Sequence, residues 1–343
     1  MNRALKTVLT LSLFSASALQ AQSDTPILSG ALAFLGSTNG GANSYQPILA
    51  PVLVAPFGDH WLVESRADVQ GFIARQDGTS GPYSGQFAAS LDYLQLDYIA
   101  NSHLTVTVGR FLTPFNIYNE RMSAVWISNL EDGPIIFTIG TRTSASSNGF
   151  MVRGDLVARP EWSVNYTAYF SAATTTENLQ SGRAAGGRMG VFFPQAGLEV
   201  GASYQRFLQN GDYNVSGAYV VWEPPPVPLD VRAEYAHSPG GHGYWLEGAY
   251  HLASSRGTST WLSRLQAVAR VQQFIKGSNP NPEDLLPSVN VNQFDIGLNY
   301  YLPHDVRLNG SYGRQYSSAG NANIWNFAIT YRFLFPAWPG ENK

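Results

Sequence analysis

Along most of this chain apolar and polar residues alternate with a period of two. From Trp261 to Phe274, one face carries Trp261, Leu265, Ala267, Ala269 and Val271, and the other Arg264, Gln266, Arg270 and Gln272. A helix, with its period of 3.6, would mix the two sets, so the segment reads as a strand. Near the start, Val63, Ala67 and Val69 oppose Glu64, Arg66, Asp68 and Gln70. Near the end, Phe327, Ile329, Tyr331, Phe333 and Phe335 oppose Asn326, Ala328, Thr330 and Arg332. About sixteen segments of this kind, each roughly ten residues long, fit strands that cross a bilayer at a tilt. Alternation alone would also fit a soluble sandwich with one wet face.

The links between segments favour the membrane. Short ones, such as Phe57 to His60, Asn101 to Ser102, Pro194 to Gly197 and Leu302 to His304, alternate with longer ones at Gln76 to Gln86, Ala172 to Arg183 and Lys276 to Asn290. Outer-membrane barrels have short turns on one side and long loops on the other. The expected class is therefore all-β: an antiparallel transmembrane β-barrel of about 16 strands. The longest interruption, Gly109 to Gly149, would be its third extracellular loop. Its prolines, Pro114 and Pro134, stop strand pairing, and it is too aromatic to be disordered. A loop this long in a regular scaffold is expected to be functional, and this one is expected to fold into the lumen and set the pore.

Composition agrees. Charged residues are 13% of the chain, about half the usual share, and aromatic residues also reach 13%. That describes a surface facing lipid between aromatic girdles rather than one covered by charge. Residues 1–21 have a basic start, an apolar run and small residues up to Ala21, the layout of a cleaved signal peptide. The barrel is then expected over 22–343. Loss of Arg3 and Lys6 takes the 21 basic side chains to 19 against 24 acidic ones, a net charge of -5. Such a balance excludes a nucleic-acid binder driven by counterion release. With no cysteine, thiolate metal sites, cysteine nucleophiles and disulfides are excluded. No cofactor or metal is expected.

At Gly109 the chain reads GRFLTPFN. This resembles the segment after the fifth strand in bacterial porins of the phosphate-selective O and P family, carried here by Gly109, Phe111, Pro114 and Phe115. The resemblance implies a sixteen-stranded porin fold, a homotrimer and a constricting third loop. Two departures limit it: the family's glycine after Pro-Phe is Asn116, and Lys276 and Lys343 are the only lysines after residue 21. Phosphate selectivity therefore does not carry over. The C-terminal strand, with Ile329, Tyr331 and Phe333 two apart, resembles the signal read by the barrel assembly machinery, although LFPAWPGENK follows it.

In a pore, selectivity comes from width and from charges at the narrowest part. Candidates on the wall are Arg66, Arg153, Arg232, Arg264, Arg270, Arg307 and Arg332, and in the loop Glu120, Arg121, Glu131, Asp132 and Arg142. Facing one another across the lumen they would create a transverse field. The bland alternative for each arginine is a cross-strand ion pair with no part in selectivity. The expected function is passive diffusion of small hydrophilic solutes or ions, among them small polar or anionic ones, across an outer membrane whose lipids surround the barrel. The alternatives are a non-channel barrel for adhesion or structure and an outer-membrane enzyme. No G-x-S-x-G, H-E-x-x-H or phosphate-binding Gly-rich loop supports the last.

Overall fold

The computed structural model describes residues 25–78, 80–141, 145–176, 178–209, 212–252, 261–278 and 285–336. The predicted signal peptide and Arg142 lie outside these residues. Sixteen strands follow in chain order: β1 (Ile27–Asn39), β2 (Ala42–Phe57), β3 (Trp61–Arg75), β4 (Tyr83–Asn101), β5 (Leu104–Leu112), β6 (Ser146–Ala158), β7 (Ser163–Ala172) and β8 (Ala184–Phe193). The second half comprises β9 (Leu198–Phe207), β10 (Tyr213–Trp222), β11 (Leu229–Ser238), β12 (Gly241–His251), β13 (Leu265–Lys276), β14 (Val291–Tyr301), β15 (Val306–Ser317) and β16 (Ala322–Pro336). Each pairs antiparallel with its sequence neighbours, and β1 pairs with β16, from Ile27 opposite Pro336 to Asn39 opposite Ile324, to close the barrel. Closure leaves no edge strand, as lipid requires.

The period-two pattern places the side chains. On β13, Gln266, Val268, Arg270, Gln272 and Phe274 are buried inward while Ala269 and Val271 point out and are exposed. On β16, Thr330 and Ala328 are buried and Phe327, Ile329 and Tyr331 face outward. The outer wall is a band of Leu32, Leu49, Leu94, Leu246, Ile296 and Leu308. Aromatics edge it, with Phe57 stacked on Trp61 and Trp61 against Tyr98 at one rim, and Tyr312 against Trp325 at the other. This is a lipid-facing surface with its girdles.

Both ends of the barrel sheet lie on one rim, with the links 58–60, 102–103, 194–197 and 302–305; the links 76–82, 113–145, 173–183 and 277–290 share the other. The alternation of lengths has exceptions: 40–41 is short on the loop rim, and 252–264 is long on the turn rim. The second exception corrects one predicted wall residue. Arg264 continues the polar phase in sequence, yet β13 begins at Leu265, and residues Leu262–Arg264 wind into a short helical turn with the Arg264 N–H on Trp261 O at 3.2 Å. The Arg264 side chain is exposed at the rim rather than lining the lumen.

Gly109 is fixed by geometry. Its φ is +123°, and a Cβ there would lie 2.5 Å from the Leu94 carbonyl oxygen. A Gly109→Ala variant is expected to lose about 1–3 kcal/mol, read as a lower urea midpoint of the folded barrel. An unchanged midpoint would show that β5 relaxes around the methyl group.

Candidate functional site: the lumen and the loop that crosses it

The loop starts from a closed neck. The Thr113 N–H donates to Ala145 O at 2.9 Å, Thr113 and Ser147 share a hydroxyl hydrogen bond at 2.8 Å, and the Asn119 amide donates to both Thr113 O and Ala145 O. Phe111 is buried edge-on to Tyr169 and packs with Met151, so the end of β5 is fixed from inside. Pro114 then ends the pairing, and the chain turns inward through Asn116, whose φ of +50° is left-handed. After glycine, asparagine is among the residues that best tolerate that region, so the departure at Asn116 keeps the same turn.

From this neck the loop crosses the lumen and is fastened to the wall in two limbs. In the first, Ile117 and Tyr118 N–H groups donate to Glu234 Oε1 at 2.8 and 2.7 Å, and Trp245 Nε1 donates to the other oxygen at 3.1 Å. The Asn116 N–H donates to Ser203, Arg188 donates to Asn116 O and to the Glu120 carboxylate, and Arg121 pairs with Glu199 at 2.7 Å. In the second limb, Arg307 donates to Val125 O at 2.7 Å, Asn129 to Glu247 at 2.9 Å, and Asn299 to Asn129 O at 3.0 Å. Ser311 donates to Glu131 at 2.6 Å, Asn326 to Asp132, Arg270 to Asp132 O at 2.8 Å, and the Ile135 N–H to Gln272 at 2.9 Å. These fastenings run from β8 round to β16.

Between loop and wall lies an apolar core within the lumen. Phe115, Ile117, Met122, Ile136 and Ile139 of the loop pack with Phe207, Val215, Tyr219, Trp245 and Phe274 of the wall. Leu130 packs with Ala249 and Val268. A polar lumen alone would not fix a loop so firmly; burying these side chains is worth roughly 1.5–3 kcal/mol each. The sequence reading missed this core. By its pattern alone Trp245, which breaks an outward apolar phase, would mark a strand end. It instead sits in the middle of β12, 1% exposed, facing inward onto Tyr118. The signal was present in Phe207, Val215, Tyr219, Trp245 and Phe274, large apolar residues on the polar phase of successive strands.

The predicted charges are brought together in contact rather than across a gap. Glu120, Arg121, Glu131 and Asp132 each meet a wall partner directly. On the wall, Arg66 pairs with Asp92 at 2.6 Å, Arg153 lies 3.8 Å from Asp97, and Arg232 pairs with Asp230. Arg270, 2% exposed, lies 3.3 Å from Asp295 and 3.8 Å from Glu247. Arg332 shares the inward phase of Thr330 and Ala328. Arg110, on the outward phase, donates to Leu91 O, Asn148 and Gln180 O and so ties β4, β6 and the next loop together. Among the described residues no three His, Asp or Glu side chains group as metal ligands.

Burial raises the pKa of both Glu131 and Asp132 above the usual carboxylate values, although Ser311 and Asn326 hydrogen-bond their charged forms. The docked loop therefore binds protons more tightly than a loop released to water. Its docking is strongest below the ordinary carboxylate range and weakens as pH rises through the raised values. Any ion current through the lumen is expected to fluctuate less at pH 5 than at pH 8, and the double variant Glu131→Gln/Asp132→Asn should abolish the difference. Equal noise at both pH values in the native protein would contradict this.

No protein-family model and no curated protein matches the sequence. Solved structures do match. The anion-selective porin from Comamonas acidovorans aligns with a TM-score of 0.59 at 10% identity, over 90% of this chain and 99% of that one. The OprB of Pseudomonas putida aligns at 0.60 and 12% identity, over 90% and 94%. OmpF of Salmonella typhi, in complex with daunomycin, aligns at 0.59 and 12% identity, over 90% and 98%. The fold is that of the bacterial outer-membrane porins: a closed 16-strand antiparallel barrel.

Proposed function

We propose that this chain is an outer-membrane channel for passive diffusion of small hydrophilic solutes or ions, with the loop 113–145 limiting its bore. The observation that carries this reading is the fastening of that loop to inward-facing side chains from β8 to β16, Glu234, Gln272 and Ser311 among them. A loop meant for adhesion would project from the rim; this one spends its polar groups on the lumen wall. A sixteen-strand barrel is wide enough to leave water beside such a loop. The loop contacts seal one side of the lumen with an apolar core, which narrows the barrel without closing it.

On the same reading, residues 1–21 are a cleaved signal peptide and 22–343 the barrel, placed through the assembly machinery by the outward Ile329, Tyr331 and Phe333. A homotrimer and kinship with the phosphate-selective O and P family rest on the motif at Gly109, Phe111, Pro114 and Phe115. Planar-bilayer recording of the refolded protein in potassium chloride tests the channel. Discrete, stable current steps are expected. Silence from protein shown to be folded by its β-sheet circular dichroism would refute the reading.

A further inference from the structure

The wall arginines that face the loop are engaged by it, Arg188 by the Glu120 carboxylate and Arg270 and Arg307 by loop carbonyls, and the loop's own Arg121 is held by Glu199 of the wall. The wall from β1 to β4 receives none of those fastenings. There β1 and β2 turn Ala31, Ala33, Ala50 and Val52 inward, so the charge on these four strands is carried by β3 and β4, with Arg332 of β16 beyond Ala31. It is arranged in two steps. In one, a bulge between Arg66 and Ala67 leaves Asp92 outside the ladder and turned to Arg66, with Asp68 one inward position along β3 from Arg66. In the other, the Gln95 amide donates to Glu64 at 2.9 Å and to Asp97 at 3.0 Å, and Arg153 lies 3.8 Å from Asp97. Glu64 and Asp68 are four residues apart on one strand, so the steps are separated by about 13 Å.

Among the described residues each step holds two carboxylates and one guanidinium. Arg66 pairs with Asp92 and Arg153 with Asp97, which leaves two half-buried carboxylates in excess: Asp68, whose buried Oδ1 has no hydrogen-bond partner, and Glu64, which accepts from the Gln95 amide beside Asp97. Apolar neighbours on β1 and β2 give the field of these two charges little to screen it.

We infer that this side of the lumen is the permeation path, that Asp68 and Glu64 are its selectivity-determining residues, and that the channel prefers small cations. This rests on the channel reading proposed above. It also contrasts with the anion-selective porin from Comamonas acidovorans that shares the fold.

Reversal potential across a potassium chloride gradient tests it, recorded at pH 8. A net charge about 6 Å from a passing ion in water biases it by about threefold. The native channel should therefore favour potassium over chloride by at least that factor. The double variant Asp68→Asn/Glu64→Gln should bring the ratio near unity. Asp212→Asn, on the rim beside Arg206, should leave it unchanged. Current steps with a chloride preference, or a cation preference that the double variant leaves intact, would overturn the inference while the channel stands. Absence of steps in the native protein would instead overturn the channel reading, and the inference with it. The single variant Asp68→Asn keeps the test open if the double variant fails to fold: a fall in the ratio supports the assignment, and no fall contradicts it.

Discussion

A variant in which residues 118–140 are replaced by a short Gly-Ser linker is expected to carry several times more current per open channel than the native protein. The splice is geometrically mild, because Gly140 lies against the Phe115 ring, so the chain leaves the segment close to where it enters. What disappears is most of the matter filling the lumen: the Tyr118 contact to Glu234, the second limb on Arg307, Ser311 and Asn326, and the part of the apolar core formed by Met122, Ile136 and Ile139. Current scales with the water-filled cross-section, and an unobstructed sixteen-strand barrel is a wide aqueous pore. The variant carries a cost in stability, since Phe207, Trp245 and Phe274 lose their cover and each forfeits roughly 1.5–3 kcal/mol of burial. A lower thermal midpoint with a larger conductance is therefore the expected pair of results. An unchanged conductance from folded protein would mean that ions never passed beside the loop.

Much of this barrel was legible in sequence, for a simple reason. Lipid outside and water or protein inside force opposite chemistry onto alternate residues, so the phase of β13 or β16 can be read without any partner in view. The same rule located the loop, because Pro114 and Pro134 break a pattern that elsewhere persists. Where the rule failed, a third environment had entered. Trp245 faces neither lipid nor water but the loop, so its size against phase looked like a strand end. Arg264 failed differently: three residues of helical turn happened to continue the alternation, and periodicity over so short a span cannot distinguish the two. The charges suffered from the same blindness to tertiary contact. Glu120, Arg121, Glu131 and Asp132 were legible as loop charges, but period and composition carry no information on whether they face open water or touch Arg188, Glu199, Ser311 and Asn326. Asn116 shows the reverse case, since a departure from a motif can be harmless once its φ of +50° is known.

Glu234→Ala is expected to release the first limb of the loop while leaving the barrel closed. The carboxylate is buried and accepts from three donors on two structures: the Ile117 and Tyr118 N–H groups of the loop and the Trp245 indole of β12. Alanine strands all three, and each buried donor without a partner costs about 1–3 kcal/mol. The chain can recover most of that only by letting the loop leave the wall, where water satisfies it. Two signatures should appear together: larger, noisier current steps, and trypsin cleavage after Arg121, which in the native protein is held by Glu199. Glu234→Gln is the informative companion. Its amide oxygen can still accept from Ile117 and Tyr118, whereas its NH2 group would meet the Trp245 donor, so release should be partial and cleavage intermediate. Were Glu234→Ala to show native current and no cleavage at Arg121, the weight of the docking would belong to the second limb and to the packing of Phe115, Ile117 and Ile139. The carboxylate would then be a satisfied bystander rather than the fastening.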